Sequence, residues 1–195
     1  DSNSYTHIDI GFLTAFLSKD KDFTTDENVV TLYVPENTKF QNATLNSALG
    51  NILLNHVCFE SGTVSSGDGD IFIKNSTLKE VAVSASLGDV KTYDSKIKTC
   101  NFVLSDGDFT AKNNEFTGET LINNDLGNIE VQGSKKQWSS LGVDASTDLG
   151  DIEVSETLEG TLKEKDSDES EYQRSGKNGK VKLHAEDGDI TMKCN

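Results

Sequence analysis

Carboxylates at a fixed interval are the strongest polar feature of this 195-residue chain. Asp70, Asp89 and Asp108 each follow a glycine and lie 19 residues apart, with Asp68 and Asp106 close by. Stacked one above another, such acids repel, and a bridging Ca²⁺ is one chemistry that relieves the repulsion. The equivalent positions 51 and 128 hold asparagine, however. Asparagine replaces aspartate in a side-chain-to-backbone turn hydrogen bond but supplies no charge, so the acids are read as corner residues and no metal or cofactor is expected. His7, His56 and His184 fall at unrelated phases of the same interval. They are therefore read as exposed or turn histidines rather than a metal set. Serines and threonines are plentiful, yet no G-x-S-x-G elbow or phosphate-cradling loop accompanies them, so no catalytic residue is nominated. Tyr93 and Trp138 could stack on sugar rings, although aromatic corner residues more often cover strand ends. Binding residues stay unassigned.

The interval belongs to a repeat. A Gly-[Asp/Asn]-apolar triplet begins at Gly50, Gly69, Gly88, Gly107, Gly127, Gly150 and Gly188, giving spacings of 19, 19, 19, 20, 23 and 38. Counted from each glycine, apolar residues recur at +2 and +4, as in Ile52/Leu54, Ile71/Ile73, Ile129/Val131 and Ile190/Met192. Another apolar site lies near +9 (Phe59, Leu78, Ile97, Phe116), and a pair precedes the next glycine at −7 and −5, as in Val81/Val83 and Cys100/Phe102. Alternation in short runs broken by Asn-, Asp- and Gly-rich corners predicts two or three strands per repeat with one face buried. A constant period predicts superposed coils, each about 4.8 Å above the last, rather than a sandwich with independent loops. The expected fold is thus an all-β solenoid whose inward columns replace a conventional core. The extra residue before Gly127 leaves open whether Leu121 or Ile122 points inward.

Residues 41–195 are read as solenoid coils and residues 1–40 as N-terminal strands or a cap, with runs at 7–10 and 30–34. Outward Leu53 and Phe72 suggest a covered patch, for which residues 12–17 are the nearest candidate. The run 163–175 carries Lys-Glu-Lys-Asp-Ser-Asp-Glu-Ser-Glu and is expected to be a solvated acidic loop replacing part of a coil.

Composition bounds the partners. Eighteen bases against 33 acids leave a formal charge of −15, which repels phosphate backbones and provides no basic patch for an anionic membrane. No nucleic-acid partner is expected. The longest uncharged apolar stretch is about eight residues, against roughly 20 for a spanning helix, so no transmembrane segment is expected in this fragment. Cys58, Cys100 and Cys194 form no CxxC pair and are expected to be free thiols. Without an initiator methionine, Asp1 is read as the start of a processed or partial chain.

The triplets, with the lead-in Leu32-Tyr33-Val34-Pro35-Glu36-Asn37-Thr38-Lys39-Phe40 and then Leu45-Asn46-Ser47-Ala48-Leu49-Gly50-Asn51-Ile52, resemble bacterial adhesin-type domains of the β-strand-repeat class, a family of unknown function. The likeness covers residues 30–154 and the coil from Val181 onward. It implies a right-handed single-stranded β-helix on the outer side of a bacterial envelope, extracellular and tethered by a segment outside this chain, with no catalytic residues to carry over. Its partner would be an unidentified macromolecule, an envelope protein or a glycan. The expected function is a non-catalytic, cell-surface binding or structural module. The alternative is a polysaccharide-processing β-helix lyase or hydrolase. Such an enzyme needs a convergent acid, base and cation cluster, and Arg174 is the single arginine.

Overall fold

The computed structural model of the protein describes residues 7–9, 38–164 and 169–195. Alternating residues in each repeat bury every second side chain, and the result is three parallel ladders that wrap one apolar interior.

The long face begins with β1 (His7–Asp9), which pairs in parallel with β3 (Ala43–Leu49). It continues through β6 (Gly62–Asp68), β9 (Val81–Leu87), β12 (Asn101–Asp106) and β14 (Glu115–Leu126). The middle face stacks β4 (Ile52–Asn55), β7 (Ile71–Lys74), β10 (Val90–Tyr93), β13 (Phe109–Lys112) and β15 (Ile129–Gly133). The short face stacks β2 (Lys39–Phe40), β5 (Cys58–Phe59), β8 (Thr77–Lys79) and β11 (Lys96–Lys98) against the first residues of β14. Ile71, Val90, Phe109 and Ile129 form one fully buried column, while Leu78 and Ile97 lie in a second. The chain is a β-solenoid, as the constant period required.

The added residue lies between Thr117 and Leu121. Register is Lys98 to Thr117 on the short face, a step of 19, and Asn101 to Leu121 on the long face, a step of 20. Absorbing it before the long face lets Ile122 pair with inward Phe102 and be fully buried, while Leu121 stays on the outer side.

Beyond the fifth rung, stack order departs from chain order. The helix α1 (Lys135–Ser139) is opened by a Ser134/Gln137 capping box and anchored by buried Trp138, whose Nε1 donates to the Lys193 carbonyl at 2.9 Å. The chain then forms β16 (Leu141–Leu149) and β17 (Ile152–Val154) one rung too far out. The vacant rung is filled from the C-terminus. There β20 (Gly179–Asp187) pairs in parallel with β14 on one side and β16 on the other, and β21 (Ile190–Cys194) lies between β15 and β17. The 38-residue interval between Gly150 and Gly188 therefore marks an insertion into the stack, not a missing coil.

The acidic run read as a solvated loop contains strands at both ends. β18 (Thr161–Glu164) and β19 (Ser170–Arg174) form an antiparallel hairpin that pairs with β16. Its inward residues explain the correction: Tyr172 and Ser170 are buried, and Tyr172 lies opposite Ala145 beyond the last coil. An antiparallel pair laid on the terminal parallel strand covers an edge that would otherwise be open. At the other end, the segments read as residues 12–17 and 30–34 lie outside the described residues. Leu53 is exposed and Phe72 is half-buried beneath the Lys91 ammonium, 5.7 Å from its ring centre.

Candidate functional site

The repeated corner between the long and middle faces holds the carboxylates. Its glycines adopt positive φ, +134° at Gly88, and a Cβ there would lie 2.6 Å from the Gly69 carbonyl oxygen. Only glycine lets successive corners nest this closely. The residue after each glycine then reaches along the stack. The Asn51 Oδ1 accepts from the Asp70 N–H at 2.8 Å, Asp70 from Asp89 at 2.9 Å, Asp89 from Asp108 at 2.9 Å, and Asp108 from Asn128 at 2.8 Å. Across the inserted rung the chain of bonds continues unbroken: Asn128 accepts from the Asp189 N–H, and Asp189 from the Asp151 N–H, each at 2.9 Å. Asparagine and aspartate are interchangeable here because both present an acceptor oxygen. The corner reading of these acids holds, with the hydrogen bond made between coils rather than within one.

One oxygen of Asp70, Asp89, Asp108 and Asp189 is thereby committed to a backbone N–H, and the carboxylates run along the stack instead of converging. Among the described residues no group of three or more His, Cys, Asp or Glu side chains is placed to hold a metal ion. Burial works to raise the Asp89 pKa, but the Lys91 ammonium at 2.7 Å and the Asp108 N–H outweigh it and hold the carboxyl below its ordinary value. Glu130 is likewise held low against burial by Lys193 and Lys112, at 3.1 and 3.6 Å.

The remaining candidates are dispersed. His56 occupies a left-handed corner position with φ +57°, equivalent to Asn75, Asp94 and Asn113, and His184 Nδ1 lies 3.1 Å from the Ser146 hydroxyl on the long face. His7 lies on β1, where only the backbone is described. Trp138 is buried and hydrogen-bonded, which removes it as a sugar platform, whereas Tyr93 stays half-buried on the middle face. Arg174 donates to the Trp138 carbonyl at 2.7 Å and lines a polar cleft of about 430 Å³ with Asp144, Lys180 and Gln173. Lys180 in that cleft is ion-paired with Asp144. Its charged groups thus hold α1 and the rung junction, and its lining contains no histidine to serve a hydroxyl as base; the Ser146–His184 pair lies outside it. Cys58, Cys100 and Cys194 are free thiols.

Two features escaped the sequence reading. A second ladder runs the other way at the corner leading to the short face, where Val57 N–H donates to Ser76 Oγ at 3.2 Å, Ser76 N–H to Ser95 Oγ at 3.1 Å and Ser95 N–H to Asn114 Oδ1 at 2.9 Å. The signal was present as Ser, Ser and Asn at +7. The other is the residue before each corner glycine. In stack order this column reads Leu49, Asp68, Leu87, Asp106, Leu126, Asp187, Leu149. The alternation is complete in space but broken along the chain, because Leu149 precedes Asp187.

Residues 13–193 match the family model described as Toastrack DUF4097. The chain belongs to the Toastrack family. Toastrack is a domain family of unknown function with a solenoid-like β fold, which agrees with the stacked ladders and with the β-strand-repeat part of the resemblance. No curated protein and no solved structure matches the chain. Among the described residues no helix is long and apolar enough to cross a membrane.

Proposed function

We propose that this Toastrack chain is a non-catalytic interaction module displayed on the outer side of a bacterial envelope, in the manner of the adhesin-type domains it resembles. The observation that carries the reading is how its polar groups are used. The interior is filled by aliphatic and aromatic columns, the corner acids bind the backbone of the next coil, and the basic residues of the cleft at Arg174 are committed to Trp138 and Asp144. What the fold offers a partner is extended outer surface with a rung every 4.8 Å or so, the geometry of a repetitive binding face. The charge of −15 supports a displayed domain that stays soluble and avoids nucleic acid.

The test is incubation with whole bacterial envelopes and with a panel of envelope and plant polysaccharides, followed by binding and product analysis. Saturable envelope binding without turnover is expected. Turnover of any polysaccharide that is abolished by Asp144→Asn or another single carboxylate substitution would replace the module reading with the glycan-processing one.

A further inference from the structure

The column before the corner glycines carries four of the exposed large apolar side chains of the described surface, whereas Leu53, Val103 and Leu162 stand apart from it. Leu49 is 76% exposed, and Leu87, Leu126 and Leu149 are each about half exposed or more. They occupy rungs one, three, five and seven, so they stand about 9.6 Å apart along a ridge roughly 29 Å long. Asp68, Asp106 and Asp187 fill the rungs between them and are exposed.

The flanks are acidic. Asp125, Asp148 and Glu186 precede the column on its outer three rungs, and Asp108, Asp189 and Asp151 follow it. None of these acids, nor the three of the column itself, forms an ion pair with a described lysine; Lys91 beside Asp89 is the one cation bonded to this corner. A shallow depression of about 300 Å³ beside the corner is lined by Asp108, Asn128 and Asp189 and, farther along the middle face, by Glu130 and Lys193, which pair with each other. A partner suited to this edge must bring apolar groups at the leucine interval and positive charge between them.

The interval selects the conformation. Three residues of polyproline II span about 9.3 Å and return a side chain to the same face, so over three leucine intervals the mismatch is about 0.9 Å. A helix repeats a face every seven residues, about 10.5 Å, and drifts by about 2.7 Å over the same length. A β-strand repeats at about 6.8 Å and matches neither one rung nor two. We propose that the ridge is a docking rail for a cationic, extended polypeptide with an apolar residue at every third position. The proposal deepens the module reading, on which it rests, by naming the class of partner.

The probe is a fluorescent twelve-residue peptide, Leu-Lys-Pro four times over, titrated into the full chain at low and physiological salt. Saturable binding is expected, weakened by salt as exposed charge pairs are screened, and at least about tenfold tighter than for a same-composition peptide with the leucines out of register. Changing Leu49, Leu87, Leu126 and Leu149 together to serine should cost about tenfold or more with an unchanged thermal melt, since all four are exposed. Asp68→Asn, Asp106→Asn and Asp187→Asn together should flatten the salt dependence. Replacing leucine by serine in the peptide gives the same readout on the unaltered protein, should the four-leucine variant misfold. Equal binding of the out-of-register peptide, indifference to the leucine changes, or equal capture of the cationic glycan chitosan would overturn the rail. Envelope binding that persists alongside any of these would leave the module reading standing.

Discussion

Two single residues show how closely the coils are fitted. Gly88→Ala must place a Cβ 2.6 Å from the Gly69 carbonyl oxygen at a φ of +134°, which combines a backbone clash with a conformation that side chains resist. A loss of about 2 kcal/mol or more is expected in urea unfolding. Gly50→Ala should cost less, because nothing lies within 4 Å of its Cβ site. Asp89 tests the ladder's electrostatics. Its folded pKa is lowered, so its contribution is fully present above the unfolded value near 3.9 and is lost as pH falls through the depressed folded value. Asp89→Asn keeps an acceptor for the Asp108 N–H but gives up the Lys91 pair. It should lower neutral-pH stability by the charge-dependent part of that contribution and reduce the fall in urea midpoint between pH 5 and 2 to the same extent, the two proteins converging in acid; an unchanged acid limb would refute the assignment. At this scale the sequence was informative about which residues face inward, because period-2 burial is local. It could not tell an inter-coil acceptor from a turn within a coil, since both require the same Asn or Asp.

The elements that depart from the repeat decide how the stack ends. α1 carries the chain outward, the β18–β19 hairpin covers β16, and β20 with β21 close the gap. Removing residues 179–195 should therefore do more than shorten the solenoid: it strips one ladder partner from each of β14, β15, β16 and β17 at once. Loss of a single cooperative melt is expected, whereas trimming a terminal coil of an ordinary repeat array lowers stability by one interface. A truncated chain that melts within a few degrees of the full one would contradict the insertion. None of this was legible in the spacing. A 38-residue interval is compatible with a skipped coil or an inserted one, and the choice rests on Trp138 and Arg174 bonding to backbone far away in the chain. The hairpin was hidden for a related reason: only Tyr172 marks its inner side, and strongly polar flanks mask the alternation Ser170-Tyr172-Arg174.

Across the whole molecule, the constant period is what made the fold readable, and the strand register bears out superposed coils over the first five rungs. Deleting residues 85–103 removes one 19-residue unit and joins Ser84 to Leu104, which keeps every column aligned; deleting nine residues turns polar corners inward. The longer deletion should fold better, an outcome that thermal melts of the two variants would check directly. The resulting surface follows from stack order as much as from composition. Leucine and aspartate alternate along the ridge only because the C-terminal rung lies between those of Leu126 and Leu149. The most direct measurement is disulfide trapping in a Cys58→Ser, Cys100→Ala, Cys194→Ser background, using pairs of cysteines introduced at Asn123, His184 and Ser146. Asn123 and His184 are register partners, as are His184 and Ser146, whereas Asn123 and Ser146 lie two rungs apart. Adjacent rungs bring Cα atoms within the roughly 7 Å a bridge tolerates, and two rungs, about 9.6 Å, do not. Rapid oxidation of the 123–184 and 184–146 pairs with no bridge between 123 and 146 is predicted. Efficient bridging of 123 to 146 would contradict the inserted rung and the ridge built upon it.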